Sequence, residues 1–343
     1  MVNIPKVTIG LVLFEGIKYL KYSLPSLINQ DYPNIEYLFL DQSPNGEAYD
    51  YIKKELPDVA KKVKLEKGEN LMHSGGHNKL INKMIRHCGD YYISASYDML
   101  YEPDFVNKMV NEMEKPEYKD FGSGTCKILK WDFEEAKRGN IEKSKTTTID
   151  SVGIAIGKRH WFWDIKHGKD INEFPHLNQK NRDVFGTTAA LAIYRKKALD
   201  DIAYINNGKN EYFDELIHQF NDVDLAYRLQ WAGYSCLYTP QAIVYHDRQA
   251  ITNAPEKRKW IQMNTIFGRM VLLKKNYTRD YSWNIRIKTW HSNLKPFFDF
   301  GISDDDLFEQ YKKVRNLKIE INKKRKNIIK RKTAKDIEKY IKW

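Results

Sequence analysis

Short apolar runs that end in polar clusters and pass into helical spacing recur along the first half of this chain, and they restrict it to an α/β architecture. Val7–Leu13 leads into Phe14-Glu15-Gly16 and then into Ile17, Leu20, Leu24, Leu27 and Ile28 at helical intervals. Ile35–Leu40 closes on Asp41-Gln42-Ser43, and Tyr91–Ala95 runs into Ser96-Tyr97-Asp98 ahead of a helix expected over Phe105–Met113. Gly122–Leu129 and Tyr238–His246 read as further strands, the latter ending on a histidine. Strands this short and this apolar suit a parallel sheet covered by helices on both faces. Ligands of such sheets bind beyond the carboxyl ends of the strands, where these polar clusters lie.

The stretch Tyr212–Gly233 sets Asp214, Asp222 and Asp224 beside a helix whose Leu225, Leu229 and Ala232 recur at helical spacing. Two roles are open to these carboxylates. Asn221 or Asp222 can cap the helix while Asp224 pairs with Arg228, contributing at most about 1 kcal/mol each. Alternatively, Asp222, held ionised by the helix N-terminus, accepts a proton from an incoming hydroxyl. Upstream, Gly75-Gly76 stands before a helix expected through Leu80, Ile81, Met84 and Ile85. Two glycines there can form an anion site, although the pair alone is a weak signal.

Taken together, these stretches resemble family 2 glycosyltransferases, with their motifs in the expected order over roughly residues 6–247. Phe213-Asp214-Glu215 followed by Asn221-Asp222-Val223-Asp224-Leu225-Ala226-Tyr227-Arg228-Leu229 is similar to a family signature whose second acidic position is the catalytic base. The resemblance carries that role to Asp222, while Asn221 stands where the family has Glu. Asp41 with Ser43 matches the element that holds the nucleotide, beside Phe14 and Glu15. Asn70, Gly76 and Asn78 match a donor-binding loop, with Met72 replacing its first Gly. Ser96-Tyr97-Asp98 looks like a reduced Asp-x-Asp metal motif, and Pro240-x-Ala242-x-Val244-x-His246 resembles the strand whose His closes the metal site. Gly186 and Thr187 fall in the segment that in the family lines the donor and acceptor pocket, to which the resemblance also assigns Asn221 and Arg228. Thr148–Gly153 is similar to a segment of rhamnosyltransferase-like members, which makes dTDP-L-rhamnose the first donor to consider.

The resemblance implies a GT-A fold, a Rossmann-like mixed, mostly parallel sheet flanked by helices. It implies inverting transfer of a sugar from a nucleoside diphosphate to a hydroxyl of a glycan or lipid-linked glycan, in cell-surface polysaccharide synthesis. Its cofactor would be a divalent cation, Mn2+ or Mg2+, on Asp98 and His246. Ser96 and Asn221 each remove a carboxylate from such a site, which keeps open a non-catalytic scaffold that binds a glycan or a partner.

Composition narrows the surroundings. A chain of 343 residues with 42% apolar content can bury a large core, and Cys88, Cys126 and Cys236 form neither a disulfide framework nor a zinc pair. The histidines between residues 131 and 183 fit no zinc spacing, so that polar and aromatic segment reads as an insertion near the acceptor. With no apolar h-region after Met1 and no apolar run of spanning length, a cytoplasmic setting is expected.

Of the net charge of +12, residues 312–343 contribute fourteen basic against three acidic side chains, or +11. The remainder is nearly neutral, which argues against a nucleic-acid groove. The expected division is a GT-A domain over 1–253 and a helical extension over 254–343. Its basic tail interleaves Val314, Leu317, Ile321, Ile328 and Ile329, a pattern suited to an anionic membrane surface at the inner face of the cell membrane. Deleting that tail is expected to leave a folded domain.

Overall fold

The computed structural model describes residues 4–86, 89–206, 208–248, 255–294 and 303–342. Cys88, Trp343 and the expected boundary between 253 and 254 lie outside the described residues.

Apolar runs become strands where expected in β1 (Val7–Leu13), β2 (Ile35–Asp41), β4 (Tyr91–Ala95) and β6 (Phe121–Trp131), while β3 (Lys64–Lys67) and β5 (Met99–Tyr101) are strands that were not expected. They continue with β7 (Lys145–Ser151), β8 (Ile154–Ile156), β9 (Phe162–Asp164), β10 (Arg182–Val184), β11 (Ala192–Arg195), β12 (Tyr204–Asn206), β13 (Lys209–Glu211) and β14 (Ser235–His246). The main sheet runs β10-β14-β6-β11-β4-β1-β2-β3, with β5 on β14 and β7 on β6. Along that path β14–β6, β4–β1, β1–β2 and β2–β3 are parallel, and the other three pairs are antiparallel.

One consequence of this topology places the site. Because β11 is antiparallel to both β4 and β6, strands β1, β2, β4, β6 and β14 all point the same way. Asp41, the Ser96–Asp98 turn and His246 therefore leave the sheet at one edge. The loop that enters β11 from Gly186 starts at that same edge.

The helix Asn221–Trp231 differs from the amphipathic helix expected. Every residue in it except Asp222 is buried, because it lies between two apolar clusters. Val223, Tyr227 and Trp231 join one of them, and Leu225 and Leu229 the other. Leu225 and Leu229 alone contribute about 2 kcal/mol each by leaving water.

A second difference concerns the glycines. The helix expected after them begins at Met72, so Gly75 and Gly76 lie inside Met72–Arg86 and not before its N-terminus. A Cβ on Gly76 would come within 2.2 Å of Gln42 Nε2 and 2.8 Å of Val12 Cγ2. Its role is close approach of the helix to β1 and β2.

The segment 131–183 is partly built into the main sheet, since β7 pairs with β6 and β10 with β14. The C-terminal helices pack on the rest of the chain. Pro255–Asn276 crosses the Asn221–Trp231 helix, and Gly268 faces the Gln219 carbonyl at a distance no side chain could occupy. Val314, Ile321, Ile328, Ile337 and Ile341 are buried in clusters that include Ile217, Trp231 and Phe185. Lys342 N donates to Ile156 O at 2.9 Å, and Arg331 N to Trp231 O at 2.7 Å. The apolar residues expected to face a membrane thus pack inward, with Ile329 still 38% exposed.

Candidate active site

Asp222 is the second residue of the buried helix, after Asn221 and the N-cap Phe220, which adopts a left-handed backbone conformation with φ 67°. Glu15 (φ 60°) and Met72 (φ 57°) share that conformation, and each stands at the start of a helix on the same edge of the sheet. Non-glycine residues held this way cost about 1–3 kcal/mol each, and such strain gathers at functional sites.

The Asp222 carboxylate is fixed by backbone donors. Ala189 N donates to Oδ2 and Val223 N to Oδ1, both at 2.8 Å. Burial nevertheless pushes its pKa up to about 6, with the Asp164 charge adding to the rise. Gly186 and Thr187, just before Ala189, are buried beside it: Gly186 faces Ala226 across the helix, and Thr187 Oγ1 lies 3.1 Å from Tyr194 OH. Asn221 points inward. Its amide donates to Ser74 Oγ at 3.0 Å and to His73 Nδ1 at 3.1 Å, while its Oδ1 accepts from Asp222 N at 2.8 Å. Burial lowers His73 to about 4, so it accepts that bond as a neutral imidazole.

Across the same edge, Asp98 and His246 meet. Asp98 Oδ2 lies 3.4 Å from His246 Nε2, and Asp98 Oδ1 accepts from Ser96 Oγ. On the other side of the ring, His246 Nδ1 donates to Asp150 Oδ2 at 2.8 Å. Burial disfavours a charged imidazole, but Asp98 and Asp150 outweigh it and raise His246 to about 10. Asp150 is fully buried and also pairs with Arg248 Nε at 3.0 Å, while Arg248 NH1 reaches Asp164 Oδ2 at 2.8 Å. A line of alternating charges therefore runs from Asp98 through His246, Asp150 and Arg248 to Asp164, close to Asp222.

Asp150, Asp164 and Arg248 were not named as site residues, although Asp150 falls in the Thr148–Gly153 segment that resembles rhamnosyltransferase-like members. The first two lie within the insertion, and the third lies two positions past His246.

These groups fit a divalent cation. A histidine that ligates through one ring nitrogen usually donates the other to a carboxylate, as His246 does to Asp150. Ions that bind nucleotides take one or two protein ligands and complete their shell from phosphates and water. Among the described residues no three His, Cys, Asp or Glu side chains form a ready cage. The Asp98–His246 pair could supply the protein's share of such a shell.

At the end of β2, Asp41 is buried and accepts from Ser43 N at 2.8 Å and Tyr49 N at 2.7 Å, shaping the loop that follows. Ser43 Oγ and Gln42 Nε2 are buried without a hydrogen-bond partner among the described residues. Tyr97 OH donates to Phe14 O at 3.0 Å, which ties the turn before Asp98 to the end of β1, where Glu15 is exposed. Asn70 is exposed and its Oδ1 accepts from Met72 N at 2.9 Å, as a helix cap would.

Three expected pocket residues are engaged elsewhere. Asn78 spends its amide on Phe213 O and Glu215 Oε1 and its carbonyl on Tyr212 N and Phe213 N, leaving nothing for a nucleotide. Arg228 is buried against Asp224, Ile202 O and Tyr212 O. Gly76 is filled by its neighbours, as above.

The profile of the family described as Glycosyl transferase family 2 matches residues 8–203, a span that includes Asp41 and Asp98 and ends before Asp222 and His246. No curated protein matches the chain in sequence. Among solved structures, the chain is similar to a mannosyltransferase from Pyrobaculum calidifontis in complex with GDP-Man and Mn2+. The identity is 15% and the TM-score 0.49, over 93% of this chain and 76% of that one. It is also similar to GalNAc-T7 with UDP, GalNAc and Mn2+, at 12% identity and a TM-score of 0.60, over 99% of this chain and 57% of that one. The chain thus spans a little over half of that protein, and the likeness is one of fold, the GT-A arrangement of sheet and helices.

Proposed function

The chain belongs to glycosyl transferase family 2, matched over more than half its length, and from that premise we propose that it is an inverting, metal-dependent glycosyltransferase. The observation that carries this reading is the line of charges that runs from Asp98 and His246 through Asp150 and Arg248 to Asp164, whose charge acts on Asp222, a carboxylate raised to about 6.

In this mechanism an acceptor hydroxyl gives its proton to Asp222 as its oxygen attacks the anomeric carbon. The bond from that carbon to the nucleoside diphosphate breaks on the opposite face, inverting the centre. A base with a pKa near 6 is mostly ionised at neutral pH yet still basic enough to take the proton. Asp98 and His246 would hold the divalent cation, Mn2+ or Mg2+, which offsets charge on the departing diphosphate. Asp150 orients the His246 ring, and Arg248 keeps Asp150 ionised. Asp41, Ser43, Phe14, Glu15 and Tyr97 border the nucleotide. Asn70, Gly76, Asn78, Asn221 and Arg228 hold the framework.

The donor proposed first is dTDP-L-rhamnose, by the resemblance of Thr148–Gly153. The acceptor proposed is a glycan or lipid-linked glycan in cell-surface polysaccharide synthesis. No helix among the described residues is long and apolar enough to cross a membrane. Attachment to an anionic bilayer is proposed instead through the helix Trp283–Leu294. Its Trp283, Ile287 and Trp290 are 69%, 45% and 63% exposed along one face, and no acidic residue occurs in it. Trp favours the bilayer interface, and the exposed Lys and Arg of 312–342 add attraction.

The test is a panel of nucleotide sugars assayed for protection against thermal unfolding, with and without Mn2+. One donor is expected to raise Tm only when the ion is present, and to be consumed when an acceptor is added. Equal protection by a diphosphate in EDTA and in Mn2+ would remove the metal from this mechanism.

A further inference from the structure

A cavity of about 500 Å³ lies away from the Asp98–His246 pair, between the helices Pro255–Asn276 and Asp304–Asn316, the start of Lys318–Lys326, and Trp161 of the insertion. Its floor is apolar: Ile266 and Val314 are buried, and Leu273 and Met270 pack beside them. Its wall and rim are cationic. Arg269 is buried, stacks on the Trp161 ring at 4.3 Å and is anchored on the carbonyls of Arg159 and His160. Lys274, Arg315 and Lys318 stand exposed around the opening, and among the described residues none of the three forms an ion pair. None of the residues lining the cavity is acidic.

Three exposed cations, Lys274, Arg315 and Lys318, around an apolar floor repel one another, and no acidic side chain in the lining offsets them. An inorganic anion would satisfy the rim and leave the floor wet. A neutral lipid would cover the floor and leave the cations unmatched. From this charge and shape we propose that the cavity binds an amphiphile with a phosphate head and a single apolar chain, the head on Lys274, Arg315 and Lys318 and the chain over Ile266, Leu273 and Val314. Recognition of this kind joins hydrophobic burial to charge-assisted hydrogen bonds.

The cavity lies one layer behind the catalytic loop. Gly268, on the helix that supplies the floor, packs on Gln219 O, and Phe162, next to Trp161, packs on Phe220 just before Asp222. On the glycosyltransferase reading, a lipid phosphate held there would tether a glycan acceptor to the protein. The binding site itself does not rest on that reading.

Farnesyl phosphate is the probe, titrated by calorimetry below its micellar concentration, beside farnesol, inorganic phosphate and phosphatidylglycerol vesicles. Farnesyl phosphate is expected to bind at least tenfold more tightly than farnesol or inorganic phosphate, and more weakly as salt rises. Replacing the exposed pair, Arg315→Ala with Lys318→Ala, is expected to weaken it at least tenfold with Tm unchanged. Equal affinity for inorganic phosphate, unchanged binding by the double variant, or binding of vesicles but not of farnesyl phosphate would each overturn the proposal. Bound farnesyl phosphate in a protein that transfers no sugar would uphold the site and refute the transferase reading alone.

Discussion

Lys324, on the helix Lys318–Lys326, lies inside the protein and not in a detachable tail, and its removal is expected to be costly. Its ammonium contacts Glu211 Oε1 at 2.6 Å and Asp214 Oδ1 at 2.7 Å, and Lys275 contacts Asp214 and, at 2.7 Å, Asp224. With Arg228 on Asp224, three buried cations balance three buried carboxylates. Lys324→Met keeps the aliphatic stem and leaves one carboxylate charge uncompensated, which for a buried pair costs about 3–5 kcal/mol. An unfolding entropy of about 2 cal/mol/K per residue gives about 0.7 kcal/mol/K here, so Tm falls by about 4–7 °C.

Scanning calorimetry at neutral pH measures this, with Lys339→Met on the exposed Asp183 pair as a control expected to shift Tm by less than about 1 °C. Adding Glu211→Gln to Lys324→Met restores neutrality and recovers part of the loss. Burial alone would raise the Asp214 pKa, but Lys275 and Lys324 outweigh it and hold Asp214 well below the usual range. The stability that comes with that depression is therefore present above about pH 4 and lost on further acidification, so the gap between wild type and variant narrows there. A Lys324→Met protein melting within 1 °C of wild type, or a double variant no more stable than the single one, would refute the argument.

Four other outcomes are expected. Asp222→Asn lowers turnover by about 10²-fold or more while donor binding holds. In the wild-type protein kcat/KM falls about tenfold per pH unit below about 6, where Asp222 takes up its proton; a profile flat from pH 7 to 5 would place the base elsewhere. Asp150→Asn, by freeing the His246 ring, weakens Mn2+ binding measured by calorimetry about 10- to 100-fold and leaves metal-free nucleotide affinity unchanged. Gly76→Ala forces Gln42 and Val12 aside and lowers stability by about 1–3 kcal/mol, read from urea unfolding.

The strands were legible because burial on both faces writes itself as a continuous apolar run, and Val7–Leu13, Tyr91–Ala95 and the end of Tyr238–His246 stand where those runs placed them. Asp41, Asp98, Asp222 and His246 were marked by the resemblance to family 2 glycosyltransferases, since by local pattern alone each reads as a turn, cap or strand-end residue. What local pattern could not decide was which side chains face one another. Asn78 and Arg228 have polar groups that suit a ligand, yet the fold turns both onto the loop at Tyr212 and Phe213, where backbone carbonyls and amides needed partners. Asp150 reads only as part of the Thr148–Gly153 resemblance, with no partner assigned, until β7 pairs with β6 and sets it behind His246. The basic tail shows the limit most plainly. Lysines between apolar residues fit a membrane face and a buried ion cluster equally well along the chain, and only the three carboxylates of Glu211, Asp214 and Asp224, about a hundred residues upstream, select the second. Helical spacing determines which residues share a face; charge balance and packing across distant segments determine what that face meets.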